Sequence, residues 1–263
     1  MPEVVTVGVF GAGGRMGRAV CRAVDADLGL RLVAAVDPGA AGQVLSPAGG
    51  RPGEVTVVAG AEALTENPSV MVDFTHLEAA RQNLAWCAAN GVHAVVGTTG
   101  FSEDDLASIR AAFTTSNCLI APNFAIGAVL MMRFAELAAP HFETAEVIEF
   151  HHDAKLDAPS GTALRTVERM AAVKGSWPAD PTATQVVGGA RGGEGPGGIR
   201  IHSVRMRGVV ANQEVILGTT GQTLTIRHDT TDRTSFMPGV VLAVKRIAEQ
   251  GGLTIGLDPL LDL

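Results

Sequence analysis

Short apolar runs alternate with amphipathic stretches along the first half of the chain. Val4 to Phe10 is rich in β-branched residues and ends in a glycine cluster, and Met16 to Val24 then carries apolar residues at helical spacing. The pattern continues in strand-like runs at Leu32 to Val36, Val55 to Ala59, Val70 to Phe74, Val92 to Val96 and Leu119 to Ala121, and in helical stretches at Leu77 to Asn90 and Glu103 to Phe113. This alternation predicts an α/β fold with a Rossmann-like, doubly wound parallel sheet.

The pattern changes after Asn123, where a second domain is expected to begin. The predicted elements are a helix over Ala128 to Ala139, a strand over Ala145 to Phe150, a loop over Lys174 to Gly198, antiparallel strands over Ile199 to Val204, Glu214 to Leu217 and Thr223 to His228, and a final helix over Gly239 to Gln250. A sheet of its own is typical of a substrate or assembly domain. Periodicity leaves open on which domain the final helix packs.

The composition is that of a soluble globular protein, with 46% hydrophobic and 18% charged residues among 263. No apolar run reaches the roughly eighteen residues needed to cross a bilayer, and the acidic Glu3 stands where a signal peptide is basic. A net charge of −7 without a basic cluster argues against nucleic-acid binding. Since Cys21, Cys87 and Cys118 are widely spaced and fit reduced thiols, we expect a cytoplasmic protein without a membrane partner.

A glycine cluster, GAGGRMG at Gly11 to Gly17, follows the first strand and opens the first helix. Small residues there let the backbone approach a pyrophosphate, which the helix N-terminus attracts. Asp37 ends the second strand, where a carboxylate accepts hydrogen bonds from an adenosine ribose. We therefore predict a dinucleotide site; the alternatives are a tight turn without a ligand and an ordinary surface acid. Asp37 would repel a 2′-phosphate, and Arg15 is the one nearby cation that favours NADPH.

Two further loops follow strands of the predicted sheet. GTTG at Gly97 to Gly100 and APNF at Ala121 to Phe124 come just after the carboxyl ends of strands, where open α/β sheets bind ligands. We expect them to border the nicotinamide. The alternative is that each is a plain turn, with Thr99 or Asn123 capping the helix that follows.

The densest cluster of candidate catalytic groups is HHDAKLDAPSGT at His151 to Thr162. His151 or His152 is suited to donate a proton at neutral pH, and Lys155 to bind a carboxylate. Pro159 suits an early helical position, and the N–H groups of Gly161 and Thr162 are donors for an anion at the start of a helix. A capped surface loop is the plain alternative. A metal site formed by His141, His151 and His152 is a third, although no typical metal-ligand spacing is present.

Several motifs together carry a family resemblance. They are VFGAGGRMG at Val9 to Gly17, VDFT at Val72 to Thr75, VVGTTGF at Val95 to Phe101, APNFAIG at Ala121 to Gly127 and EFHHDAKLDAPSGTA at Glu149 to Ala163. With these the chain resembles the 4-hydroxy-tetrahydrodipicolinate reductases, formerly called dihydrodipicolinate reductases. The resemblance runs on to DRTSFMPG at Asp232 to Gly239 and the terminal helix.

The resemblance implies a cytoplasmic homotetrameric reductase of the diaminopimelate route to lysine, which uses NADH or NADPH to reduce a small cyclic dicarboxylate after loss of water. It implies a dinucleotide-binding domain over residues 1–125 and 235–263, including the terminal helix, and an α+β substrate and tetramerisation domain with an open mixed sheet over 126–234. His151 is then the proton donor and Lys155 a second acid or stabilising cation, with no metal. The implied substrate-binding residues are His152, Lys155, Gly161 and Thr162. The implied cofactor-binding residues are Gly11, Ala12, Gly13, Gly14, Arg15, Met16, Asp37, Gly97, Thr98, Thr99, Ala121, Pro122, Asn123 and Phe124.

One residue departs from the pattern of some members, which place an arginine directly after the acidic ribose residue. Here that residue is Pro38, which argues against a strong NADPH preference. Two other functions stay open: another two-domain NAD(P)-dependent oxidoreductase of a small anionic substrate, and a non-catalytic dinucleotide sensor. The cationic loop argues against the first, since a monocarboxylate or a neutral sugar would not require His152, Lys155 and the helix N-terminus together. The chain lacks the basic helix-turn-helix that the second would need.

Overall fold

The computed structural model describes residues 4–46 and 53–262, and the chain divides into two compact units. The first unit spans Met1–Phe124 and Phe236–Leu263, and the second spans Ala125–Ser235. These boundaries lie one residue from those expected above. Glu3 and residues 47–52, part of the glycine-rich loop after Asp37, lie outside the described residues.

The strands are, in chain order, β1 (Val5–Phe10), β2 (Leu30–Val36), β3 (Val44–Leu45), β4 (Val55–Thr56), β5 (Val70–Asp73), β6 (His93–Val96), β7 (Cys118–Ile120), β8 (Thr144–His151), β9 (Gly193–Glu194), β10 (Arg200–Arg205), β11 (Ala211–Thr219), β12 (Gln222–Thr230) and β13 (Leu253–Ile255). The α-helices are α1 (Arg15–Ala26), α2 (Leu77–Ala89), α3 (Glu103–Ala112), α4 (Ile126–Ala138), α5 (Gly161–Lys174) and α6 (Met237–Arg246). No helix in the described part of the chain is both long and apolar enough to cross a membrane.

The first unit is built on a six-stranded sheet in the order β13-β7-β6-β5-β1-β2. Every neighbouring pair in it is parallel. Its central strands are buried on both faces, as the apolar runs predicted: Val7, Val9, Val72 and Val95 are all fully buried. The Rossmann-like fold is thereby confirmed.

The prediction for Val55 to Ala59 was wrong in its placement. Val55–Thr56 pairs antiparallel with Val44–Leu45, and a single bridge from Val58 to Val36 joins this segment to the main sheet. The reason is visible in the burial pattern, because Val55 and Val57 are buried while the intervening Thr56 is exposed. A central parallel strand would be covered on both faces.

The sixth strand of the sheet is instead β13, which was not predicted. It follows Gly251 and Gly252 near the end of the chain and pairs parallel with β7. The final helix, α6, packs on α1, β1 and β6 of the same unit, so it belongs to the first unit. It ends at Arg246, earlier than predicted, and a 3₁₀ turn over Ile247–Glu249 replaces its last part.

The second unit has a five-stranded mixed sheet in the order β12-β11-β8-β10-β9. The prediction that Ile199 to Val204 is antiparallel to its neighbours was wrong for one side, since β10 runs parallel to β8. The connection explains this: the chain leaves β8, passes through α5 and returns in the same direction, as parallel strands require. Helices α4 and α5 pack on each other and on this sheet, which buries Val147, Val215 and Leu217 completely.

Candidate active site

The strand that leads into the motif loop brings a glutamate and a histidine to the same face. Glu149 and His151 are two residues apart on β8, so their side chains point the same way. His151 Nδ1 lies 2.6 Å from Glu149 Oε2, with the glutamate side chain 0% exposed and the histidine 16% exposed. The imidazole is therefore anchored by a buried carboxylate and still reaches the surface.

Arg205 holds the same glutamate from the neighbouring strand. It lies opposite His151 in the β10–β8 register and donates to both carboxylate oxygens, Nη1 to Oε2 at 2.7 Å and Nη2 to Oε1 at 2.9 Å. The backbone N–H of Ser160 donates to Oε1 at 3.1 Å. Burial acts to raise the pKa of Glu149, but the hydrogen bonds from Arg205 and His151 outweigh it and hold the pKa below its usual value. The carboxylate is therefore ionised at neutral pH.

The sequence analysis singled out neither Glu149 nor Arg205 as a candidate site residue. The Glu-x-His spacing on a predicted strand was an available signal for the first, because period-two residues share a face. Arg205 carries no local signal. It lies 56 residues from Glu149 along the chain, and only the parallel register of β10 with β8 brings the two together.

The motif loop ends in a capped helix. Ser160 is the N-cap of α5, and its side-chain oxygen accepts a hydrogen bond from Ala163 N at 3.2 Å. Gly161 and Thr162 are the first two residues of α5, so the predicted helix start is confirmed. Pro159 precedes the N-cap, so its predicted position inside the helix was wrong.

Lys155 lies on this loop with an anionic neighbour that the sequence reasoning did not consider. Its Nζ is 2.7 Å from both carboxylate oxygens of Asp157, and the lysine side chain is 19% exposed against 66% for the aspartate. The hydrogen bond from Lys155 lowers the pKa of Asp157. A substrate carboxylate that binds Lys155 therefore meets a cation already paired with an exposed acid.

The histidine cluster does not form a metal site among the described residues. His152 is exposed on the motif loop, and His141 lies before the start of β8 while His151 lies at its end. The eight residues of that strand separate the two by roughly 20 Å. No group of three or more His, Cys, Asp or Glu in the described ranges is placed to hold a metal ion.

The glycine turn of the first unit has the geometry expected of a phosphate-binding turn. Gly11 has φ +68°, and the N–H of Gly14 donates to Gly11 O at 2.9 Å. Gly14 is the N-cap of α1 and provides no side-chain cap, and no acidic residue lies in the first helical turn, which begins with Arg15 and Met16. The N-terminus of α1 is therefore suited to an anion.

Asp37 contacts the glycine turn directly. Its Oδ2 accepts from the N–H of Gly13 at 2.9 Å, and its Oδ1 accepts from the N–H of Gly39 at 2.9 Å. A Cβ on Gly13 would lie 2.6 Å from Ala40 Cβ and 2.9 Å from Asp37 Oδ2. The extra glycine of the motif thus allows the turn and the acid to meet, with Ala12 buried beside it.

The two other predicted cofactor loops lie at the same edge of the sheet, since they follow the parallel strands β6 and β7. Buried Asp73, at the end of β5, links the loop after β5 to the loop after β6: its Oδ1 accepts from Thr75 Oγ1 at 2.7 Å and from Thr98 Oγ1 at 3.2 Å. A Cβ on Gly97 would lie 2.0 Å from the Phe74 ring. These contacts fix the loop after β6 against the loop after β5.

The capping alternative for Thr99 is wrong, because Ser102 and Asp105 form the capping box of α3 and Thr99 is exposed. Of the loop after β7, Ala121 and Phe124 are buried, Asn123 is half-buried and Pro122 is exposed.

Comparison with known proteins assigns both units. Residues 5–124 match the family model described as dihydrodipicolinate reductase, N-terminus, and residues 127–261 match the model described as dihydrodipicolinate reductase, C-terminus. The chain is 49% identical over 262 residues to the 4-hydroxy-tetrahydrodipicolinate reductase of Mycolicibacterium vanbaalenii, covering 98% of this chain and 99% of the relative. It is 50% identical over 267 residues to the enzyme of that name from Nocardia farcinica, again covering 98% and 99%.

A solved structure agrees with this assignment. The dipicolinate-bound dihydrodipicolinate reductase from Paenisporosarcina sp. TG-14 is 39% identical, with a TM-score of 0.87, and covers 98% of this chain and 99% of its own. Fold, site geometry and similarity over nearly the full length all agree. The chain therefore belongs to the dihydrodipicolinate reductase family.

Proposed function

We propose that this chain reduces 4-hydroxy-tetrahydrodipicolinate to tetrahydrodipicolinate, with loss of water, in the diaminopimelate route to lysine. The observation that carries the proposal is the anchored His151 at the end of β8, directly before the loop that contains Lys155 and leads to the N-terminus of α5. Full-length relatives that bear the name of this activity support it. We also propose a cytoplasmic location, as for a biosynthetic enzyme.

The first unit is assigned to a nicotinamide dinucleotide, and its residues fit that group. The uncapped N-terminus of α1 suits a closely bound pyrophosphate, and Gly13 allows Asp37 to contact the glycine turn. Gly11 to Met16 would hold the phosphates and Asp37 the ribose hydroxyls. Gly97 to Thr99 and Ala121 to Phe124 would border the nicotinamide, which when bound supplies the hydride.

The second unit is assigned to the substrate. His152, Lys155 and the N–H groups of Gly161 and Thr162 bind the two carboxylates and so orient the ring. His151 gives a proton to the nitrogen or the adjacent carbon, where negative charge builds as the ring is reduced. Lys155 neutralises a carboxylate and offsets the developing charge, acting as a stabilising cation.

The assignment is tested by following NADH and NADPH oxidation in an assay coupled to the synthase that makes the unstable substrate. Turnover with at least one cofactor is expected. If neither is oxidised although the folded protein binds them, the reductase assignment falls and the non-catalytic sensor takes its place. Turnover of a semialdehyde or polyol instead would favour another oxidoreductase of the same fold.

Replacing Lys155 with methionine is expected to raise KM for the substrate about 10- to 100-fold, with a smaller fall in kcat. A charge-assisted hydrogen bond to a carboxylate contributes roughly 1.5 to 3 kcal/mol, and methionine keeps the length of the side chain without the charge. Steady-state kinetics over a range of substrate concentrations measure the two constants separately.

Lys245→Met is the matched control for this variant. Lys245 pairs with Asp27 in the first unit, at a surface position outside the assigned site, and its loss is expected to leave both constants within twofold. An unchanged KM in Lys155→Met would show that Lys155 does not contribute to substrate binding.

The second prediction concerns the cofactor. We expect the wild type to use NADH at least as well as NADPH, and Asp37→Asn to shift kcat/KM toward NADPH about tenfold. Removing a negative charge near a 2′-phosphate relieves a repulsion of roughly 1 to 2 kcal/mol at a partly exposed position. Asparagine keeps one oxygen acceptor for the N–H groups that Asp37 now binds.

Asp104→Asn is the control. It removes one negative charge at an exposed position of α3 in the same unit and leaves the glycine turn and Asp37 unchanged. Its ratio of NADH to NADPH efficiency is expected to equal that of the wild type. A strong NADPH preference in the wild type would show that Asp37 does not select the ribose.

We also propose a homotetramer assembled through the sheet of the second unit. Along β11 the residues Gln213, Val215 and Leu217 are buried, while the alternate positions Glu214 and Ile216 are only half-buried, so the face opposite the helices is incompletely covered. A monomer mass in light scattering at assay concentration would contradict this assembly.

A further inference from the structure

The mechanism above uses His151 but leaves its buried partner without a role. Glu149 has a fully buried side chain, in a place where a carboxylate is costly unless its hydrogen bonds are satisfied. Four groups satisfy it: the His151 ring, the Arg205 guanidinium, the Ser203 side chain and the Ser160 backbone N–H. The chain thus maintains an ionised acid directly behind the proposed proton donor.

The ionised state of Glu149 decides which ring nitrogen of His151 carries which proton. A carboxylate has no proton to donate, so the contact of 2.6 Å at Nδ1 requires that Nδ1–H be the donor. The neutral imidazole is then the Nδ1–H tautomer. The protonated ring carries a second N–H at Nε2, on the side of the ring away from Glu149. The proton on Nε2 is the one that can be released.

Arg205 keeps the carboxylate in that state and in that orientation. Its two parallel hydrogen bonds fix the plane of the carboxylate, and a third, from Nη2 to Asp157 O at 2.7 Å, ties the guanidinium to the motif loop. Without a cation, a buried carboxylate would tend to take up a proton. The arginine therefore links the strand that bears His151 to the loop that bears Lys155.

We infer that Glu149 is a positioning residue for the reduction, which holds His151 by Nδ1 so that Nε2 delivers the proton, and that Arg205 holds Glu149 for this purpose. The inference rests on the proposed function for its catalytic part. Its structural part, the single tautomer of His151, stands on the geometry of the folded protein alone.

The same sheet offers a matched control. Glu146, also on β8, accepts from His202 Nε2 at 2.6 Å and pairs with Arg191, so it repeats the acid, histidine and arginine arrangement away from the motif loop. Glu146→Gln removes the same charge from the same strand. It is expected to leave kcat and its pH profile as in the wild type.

Glu149→Gln is expected to lower kcat about 10- to 100-fold with KM within threefold, and to change the pH profile of kcat, because the variant removes the negative charge beside the proposed proton donor. The ionisable groups on the elements flanking His151 are Arg200, His202 and Arg205 on β10, Glu214 on β11, and His152, Asp153, Lys155 and Asp157 on the loop; the residues directly opposite His151 are Arg205 and Ala211. None of them changes in this variant.

The tautomer is read independently by nitrogen NMR of protein labelled with ¹⁵N-histidine, with His151 assigned by its absence in His151→Gln. The wild type and Glu146→Gln are expected to show the Nδ1–H form alone, and Glu149→Gln a mixture. An Nε2–H form in the wild type would overturn the inference. So would a Glu149→Gln enzyme with unchanged kcat and pH profile.

Two further outcomes are decisive. If Glu149→Gln does not fold, Arg205→Lys, which keeps the charge but not the paired hydrogen bonds, is expected to lower kcat in the same direction by a smaller factor. An unchanged pH profile and kcat there would then overturn the inference. If the wild type shows no turnover, the proposed function fails, while the tautomer measurement still decides the role of Glu149.

Discussion

Replacing His151 with glutamine will lower kcat about 10²- to 10⁴-fold and leave KM for both substrates within a few-fold. A positioned general acid contributes a rate factor of this size, and glutamine has no group that donates a proton near neutral pH. Glutamine is of similar length and polarity, so the half-buried position at the end of β8 stays filled. Single-turnover measurements would place the loss in the chemical step.

His202→Gln is the matched control for this prediction, because His202 is likewise a strand histidine that contacts a glutamate on β8, and it lies outside the assigned site. Its kcat is expected to stay within twofold of the wild type. His152→Gln distinguishes the two candidate proton donors of the motif. A fall in kcat in His152→Gln, with His151→Gln still active, would identify His152 as the proton donor.

Replacing Gly17 with alanine is expected to destabilise the first unit by about 3 kcal/mol or more and to abolish cofactor binding. A Cβ at this position would lie 2.0 Å from Gly11 O, 2.7 Å from Gly11 C and 2.9 Å from Ala12 Cα. All three are backbone atoms, which cannot move aside as a flexible side chain does. Alanine improves helix propensity by only about 1 kcal/mol, so the destabilisation from the steric overlap is larger. Relieving the overlap requires the glycine turn to move, which disturbs the proposed phosphate site.

Gly251→Ala is the control for this prediction, since a Cβ there has no atom within 4 Å. Denaturant unfolding gives the change in unfolding free energy, and fluorescence titration gives the affinity for NADH. A Gly17→Ala protein that unfolds and binds NADH like the wild type would contradict the close approach of helix and turn.

The sequence allows most elements of the first unit and most of the candidate site to be predicted, because the signals are local. Strand, glycines, helix and Asp37 follow one another within a short stretch, and the motif from His151 to Thr162 is continuous. Which strands pair with each other cannot be predicted from such local signals. The apolar residues at Val55 to Ala59 predict a strand whether one face of it or both are covered, so the sequence did not indicate that this strand lies outside the main sheet.

The same limit explains the missed residues. Arg205 joins Glu149 only through the parallel register of two strands, and that register depends on how the long connection through α5 returns. Glu149 lies inside a quoted motif, yet its role depends on burial, which the alternation of β8 indicates only once the covered face is known. The anchoring of His151, the proposed proton donor, therefore depends on tertiary structure.

The discontinuity of the first unit has a consequence for synthesis. The last strand of its sheet, β13, pairs with β7, and more than half of the chain length separates β13 from that partner. During translation β7 therefore emerges with its outer edge unpaired, and the whole of the second unit must be made before the partner strand appears. Until then the open edge is a site where one nascent chain can pair with another, so this sheet is completed only after the whole second unit has been synthesised.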